Sequence, residues 1–275
     1  MDHASAKIMN ENCAVPVNKC IYCGTTEKTL TDEHIIAYGL SGNLILPKAS
    51  CLDCNKITGL IEERVLRGFT QQARTALGLR TRRRNNAPKT FPLGIIKDGR
   101  EKIIDVAVSE HCVVLPLPLF EPPAFMENNI PKPSRNYKEG IGLTGLVTVW
   151  LSDREQIRKR YNADEIFVEH KLDHLSFARM LAKIGYCQAI AQFGLDAIQE
   201  AYVLPAILGE RNDIGRWVGS TDTVLTPEIG VGHQIHAEKW ERVNHGNSQE
   251  LIIAYIHLFS HLHSPLYTVI VGGKR

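Results

Sequence analysis

Residues 20–59 read CIYCGTTEKTLTDEHIIAYGLSGNLILPKASCLDCNKITG. Two Cys-x-x-Cys pairs, Cys20–Cys23 and Cys51–Cys54, bracket 27 residues. In a chain expected to be cytosolic, such pairs read as a metal site before they read as disulfides. Zinc takes four thiolates in a tetrahedron, and each pair presents two sulfurs to one ion. A unit this short buries too little apolar surface to stand without a staple, and metal binding supplies the missing folding free energy. A redox pair would need the strand-to-helix junction of a βαβ unit, where neither pair is expected. Cys13, Cys112 and Cys187 stand alone and read as ordinary thiols.

Inside the bracket, Glu33 and His34 sit side by side at the mouth of an apolar run. A surface turn entering a strand would explain them. So would a metal ligand beside a general base. A neutral imidazole takes a proton from water near pH 7, and oxygen donors such as Glu33 and Asn55 suit a hard divalent ion.

The chain has 275 residues, 44% hydrophobic and 23% charged, an ordinary globular composition that argues against general disorder. No apolar run reaches the roughly 18–20 residues that span a bilayer, and the first residues lack the apolar core of a signal peptide. The expectation is a soluble, cytoplasmic protein. Net charge is +2 but uneven: residues 1–100 hold 15 Lys/Arg against 9 Asp/Glu, and the remainder 17 against 21. A basic front suggests a polyanionic partner there.

Residues 59–79 have helical period, with Ile61, Val65, Phe69, Ala73, Ala76 and Leu77 on one face. Arg64, Arg67, Gln71 and Arg74 fall on another. That face is either solvated or turned to phosphates, and the run Arg80, Arg82, Arg83, Arg84 follows it directly. Residues 85–100, with Pro88, Pro92 and Gly94, read as a linker. Strands are expected at 102–109, 112–120 and 143–151, with Pro116 and Pro118 placing the second at a sheet edge. Residues 121–140 read as a long loop. Helices are expected near 153–161, over 173–194 with Asp173 as N-cap, and near 196–208. Strands return at 233–243, 250–260 and 265–272. The C-terminal histidines, His257, His261 and His263 among them, read as a polar strand face.

The run CIYCG…LTDEHIIAYGLSGNLILPKASCLDCNKITG resembles the HNH endonucleases of the ββα-metal fold, in the subgroup pinned by four cysteines. The resemblance covers about residues 19–60. It implies that Cys20, Cys23, Cys51 and Cys54 hold structural zinc. It implies that Glu33 and Asn55 bind a catalytic Mg²⁺ or Mn²⁺. His34 is then the general base, and Asn43 holds the loop that orients it. Two positions depart from the usual pattern: Ala37 stands where proline is common, and Ser41-Gly42 where Gly-Gly is common.

The expected fold class is α+β: a small zinc-stapled, treble-clef-like ββα-metal module over 1–84, followed by a larger α+β domain over 85–275. The second domain is expected to position substrate, sense a signal or mediate oligomerisation. The resemblance implies hydrolysis of phosphodiester bonds, most readily in double-stranded DNA, leaving 5′-phosphate and 3′-hydroxyl ends. Lys56, Arg64, Arg67, Arg74, Arg80, Arg82, Arg83 and Arg84 are the expected phosphate contacts, which are independent of sequence. No membrane partner is expected; a second copy or a partner protein could join through the C-terminal domain. By analogy alone, such fusions suggest a restriction or anti-phage effector. The alternative is a zinc module that binds nucleic acid without cutting it.

Overall fold

The computed structural model describes residues 15–81, 88–126, 140–221, 232–244 and 247–274. The chain is mixed α and β, and every strand pairing among the described residues is antiparallel.

The front begins with a hairpin, β1 (Leu30–His34) and β2 (Ile45–Cys51), which runs without a break into helix α1 (Leu52–Arg67). Glu33 pairs with Leu46 and His34 with Ile45. Between Thr31 and Glu33 the register shifts, so two steps on β1 face four on β2. Lys48, at φ 48°, forms the bulge, and the Asp32 carboxylate accepts its backbone N–H at 3.1 Å. Residues 35–44 connect the strands and fold back tightly: Ile35 N–H donates to Leu44 O at 3.0 Å.

Helix α1 buries Cys54, Thr58, Ile61 and Val65, a stripe of helical spacing. The single helix expected over 59–79 is two helices, α1 and α2 (Gln71–Ala76). Gly68 makes the break. It lies at ψ −130°, and a β-carbon there would sit 2.5 Å from Arg64 O. Thr70 Oγ1 then donates to Val65 O at 2.7 Å, closing the turn.

The stretch expected as a linker contains a strand. β3 (Thr90–Lys97) lies between β4 (Arg100–Ala107) and β7 (Glu165–Phe167). Asp98 and Gly99, both at positive φ (49° and 70°), close a two-residue hairpin between Lys97 and Arg100. Asp-Gly is a strong short-range hairpin signal. Pro92 and Gly94 obscured it. Pro92 pairs only with β4, because β7 joins β3 at 94–96. Gly94 is required because a β-carbon there would meet the Phe167 ring at 2.3 Å. A small second core of Leu93, Val106, Cys112, Ile157, Ala163 and Ile166 lies under this sheet, covered by α3 (Arg154–Arg160).

β5 (Val114–Phe120) and β6 (Leu143–Trp150) form a separate pair. Pro116 and Pro118 lack donors, so Leu115, Leu117 and Leu119 carry its ladder, as an edge strand allows. The largest sheet has the order β10 (Gln234–Asn244), β11 (Asn247–His257), β12 (Leu266–Lys274) and β8 (Glu200–Ala201), with β9 (Val218–Thr221) also on β12. The helix expected near 196–208 is interrupted by β8, which separates a 3-10 turn (Leu195–Ala197) from the single turn α5 (Leu204–Ile207).

Helix α4 (His174–Phe193) runs through the centre. Asp173 caps it as expected, accepting from Ser176 N–H at 2.9 Å. Between Ser176 and Ile190 only Arg179 and Gln188 escape burial. One side packs on the large sheet, where Gly185 allows approach to Val269 and Ala254. The other packs on α1 and on the turn after it, where Phe69 stands edge-on to Phe177 at 5.4 Å. One buried cluster therefore extends from Cys20 through Ala73 to α4 and Val271. Segments 1–84 and 85–275 share this core. No described helix is long and apolar enough to cross a membrane.

Candidate metal centre and cleft

The first knuckle is a tight turn: Gly24, at φ 74°, donates to Cys20 O, and Cys20 donates to Thr25 O, both at 2.8 Å. Ile21 N–H joins it to β2 at Ala49 O, 2.8 Å. The second knuckle straddles the β2–α1 junction, with Cys51 ending the strand and Cys54 in the first helical turn. A Cys-x-x-Cys pair does therefore occupy a strand-to-helix junction, though not that of a βαβ unit. It follows an antiparallel hairpin, and the other two thiols close around it.

All four Sγ atoms lie within 4.8 Å of one another, with Cys23 and Cys51 at 3.7 Å. A disulfide would need about 2.05 Å. Four sulfurs at about 2.3 Å from one zinc lie about 3.8 Å apart along a tetrahedral edge. The cage therefore could hold a metal such as zinc, and no other such cluster occurs among the described residues. Against the upward push of burial, the Cys54 backbone N–H and the neighbouring thiols bring Cys51 down to about 7. Burial drives Cys54 upward. Cys112 and Cys187 are buried free thiols, and Cys13 lies outside the described residues.

Beside the cage, β1, the 35–44 connection and α1 wall an open cleft of about 1140 Å³. Glu33, His34 and Asn55 all line it. His34 ends β1, half-buried, its ring edge-on to Tyr38 at 5.8 Å and 78°. Asn55, Gly59 and Glu62 follow one another along one face of α1, by the helical repeat. A β-carbon at Gly59 would meet nothing within 4 Å, so the cleft floor is open there. Asn43 lies exposed in the connection and does not line the cleft.

The arginines divide. Arg67, Arg74 and Arg80 line the cleft. Arg74 Nε and Nη1 donate to Gly39 O and Leu66 O at 2.6 and 2.7 Å, and Nη2 to Arg80 O at 3.3 Å. Its guanidinium is thus partly spent in fastening the loop to the α1–α2 turn. Arg80 lies over the Tyr38 ring at 5.7 Å, and Arg67 pairs with Glu63 at 3.0 Å. Lys56 and Arg64 are exposed on α1. Arg82, Arg83 and Arg84 lie outside the described residues.

Three groups at this site were passed over in the sequence: Lys183, Glu62 and Tyr186. Lys183 of α4 is 1% exposed, and its ammonium reaches Glu33 Oε1 at 2.7 Å and Glu62 Oε1 at 2.9 Å. It also donates to His34 O, and to Ile35 O at 3.4 Å. Burial alone would lower its pKa; the two carboxylates reverse this and hold it raised, so it stays charged. Glu33 is 4% exposed, and its Oε2 is buried with no hydrogen-bond partner. The signal in the sequence was a lysine amid apolar residues, which demands a buried counter-charge. The partners, some 121 to 150 positions away, could not be read from it. One turn further along α4, Tyr186 OH donates to Ile21 O of the first knuckle at 2.6 Å.

The histidines expected on one strand face do not share it: β11 ends at His257, and His261 and His263 lie exposed in the turn beyond. His233 Nε2 bonds Leu40 O at 2.7 Å and its Nδ1 accepts from Phe259 N–H at 3.0 Å, while His257 is buried against Ser264 O. No family model, no curated protein and no solved structure matches the chain.

Proposed function

We propose that this protein is a metal-dependent endonuclease of the HNH type that hydrolyses phosphodiester bonds, most readily in DNA. The observation that carries the reading is the convergence of Glu33, His34 and Asn55 on one open cleft beside a four-thiolate cage. The strand–strand–helix order of the front supports it, since it places His34 at a strand end and Asn55 in the following helix's first turn.

The donor chemistry fits a hard divalent ion. Glu33 Oε2 is a buried carboxylate oxygen without a partner, and Asn55, which lines the same cleft, carries a carboxamide oxygen. Bound there, Mg²⁺ or Mn²⁺ would polarise the scissile phosphate and stabilise the leaving oxygen. His34, as neutral imidazole, takes the proton of the attacking water. Arg80 and Arg67 hold neighbouring phosphates, Arg67 after giving up Glu63. Zinc on the four cysteines would hold β2 and α1 in register and take no part in the reaction.

A second reading is a zinc module that binds nucleic acid without cutting it. The ion pair between Glu33 and Lys183 favours it, because it commits one ligand oxygen to an ammonium. Plasmid nicking with Mg²⁺ or Mn²⁺ separates the two. Under the nuclease reading the protein nicks, and His34→Ala lowers the rate about 10²–10⁴-fold, the range for losing a general base. Tight binding with no nicking by either protein favours the second reading.

A further inference from the structure

The ammonium of Lys183 is caged by four oxygens: Glu33 Oε1, Glu62 Oε1, His34 O and Ile35 O. Three of these belong to consecutive residues where β1 ends and the connection begins. The cation therefore fixes the backbone on both sides of the His34 imidazole and, through Oε1, the plane of the Glu33 carboxylate. The other carboxylate oxygen, Oε2, is left without a partner. The lysine comes from α4, which is anchored independently by its Asp173 cap and by packing on the large sheet. Four residues along, Cys187 meets Tyr22 OH at 3.6 Å, and Tyr186 holds Ile21 O, so the same helix face grips the first cysteine knuckle.

We infer that Lys183 is a positioning residue of the front site: from the C-terminal part of the chain it fixes the backbone that carries the His34 imidazole and holds the Glu33 carboxylate through Oε1, leaving Oε2 unengaged. This rests on the nuclease reading. It makes the reaction centre a product of both parts of the chain. An alkylammonium suits the position, being a compact charge that can donate to several oxygens at once. A surface lysine would have no such reach, because water would screen it.

The test compares Lys183→Met with Asp173→Ala, which weakens α4 without touching the cleft. Single-turnover cleavage with Mn²⁺ is expected to fall about 10–100-fold in kcat for Lys183→Met, the range for partners that orient ligands from behind. KM should stay within about threefold, as for a group that acts in the chemical step. Asp173→Ala should keep wild-type kcat. The second readout needs neither the catalytic ion nor DNA. The His34 ring signals in a ¹H–¹⁵N spectrum should shift and broaden in Lys183→Met while remaining unchanged in Asp173→Ala. Where Lys183→Met does not fold, Lys183→Met/Glu62→Gln takes its place, since it leaves one carboxylate fewer uncompensated, and the same results are expected. Wild-type kcat in the lysine variant, or His34 signals that coincide with wild type, overturns the positioning role. The two readings fail separately. A wild type that never cleaves, with His34 signals that still depend on Lys183, removes the nuclease and keeps the positioning. A wild type and lysine variant that cleave equally do the reverse.

Discussion

Gly42 sits where a β-carbon would lie 2.1 Å from Ile36 O, in the connection that returns the chain from His34 toward β2. The backbone cannot shift there without disturbing Ile35 N–H and its bond to Leu44 O. Gly42→Ala is expected to cost roughly 1–3 kcal/mol, the range for overpacking, in urea-unfolding experiments. His233 offers a second prediction. Its ring is neutral, with the proton on Nε2, because Nδ1 must accept from Phe259 N–H. Burial lowers its pKa, only partly offset by the Leu40 carbonyl, and His261 lowers it further. As pH falls below about 6.5, the unfolded chain takes up a proton that the folded chain refuses, so stability is lost on the acid side. His233→Gln should flatten that slope below about pH 6.5, measured by chemical unfolding at a series of pH values. An unchanged slope would mean that another group controls it; His111 and His170, also lowered by burial, are the next to test.

At the scale of elements, α4 was legible in outline and illegible in role. Its span and its Asp173 cap follow from local spacing. Its burial on nearly every side does not, because that depends on what packs against it. Tyr186→Phe removes one hydrogen bond to the first knuckle and leaves the packing nearly intact. It is expected to cost about 1 kcal/mol, seen as a lowered melting temperature, with zinc content unchanged by metal analysis. The β3–β4 hairpin shows the opposite case. Its Asp98-Gly99 turn is a local signal, but Pro92 and Gly94 within the strand read as linker until β7 and Phe167 are in place beside them. The α1–α2 break at Gly68 was missed for a related reason: the apolar period runs through it, while the clash with Arg64 O is visible only once the helix is built.

For the whole molecule, the continuous core means that the front does not stand apart. Phe69 packs on Phe177, and Glu33 depends on Lys183 for its counter-charge. A fragment spanning residues 1–84 would expose the first contact and bury the carboxylate unpaired, or unfold to hydrate it. Even with zinc supplied, that fragment is expected to give a poorly dispersed ¹H–¹⁵N spectrum; a well-dispersed one would show that the front folds alone. Stripping metal from the full chain with a strong chelator should unfold the knuckles first, then loosen α4 through Tyr186 and Lys183. Hydrogen exchange would show this as lost protection in α4 as well as in residues 20–54.

The sequence by itself determined the four-cysteine cage and the neighbourhood of Glu33, His34 and Asn55, because these depend on spacings of a few residues and on the pairing of one short hairpin. Only the tertiary structure decided what surrounds them. Lys183 finding Glu33 and Glu62, Arg74 spending its donors on backbone carbonyls, and His233 fastening the loop at Leu40 all join residues far apart in the chain. A buried charge must find its partner in space, and nothing in its own neighbourhood along the chain says which partner that is.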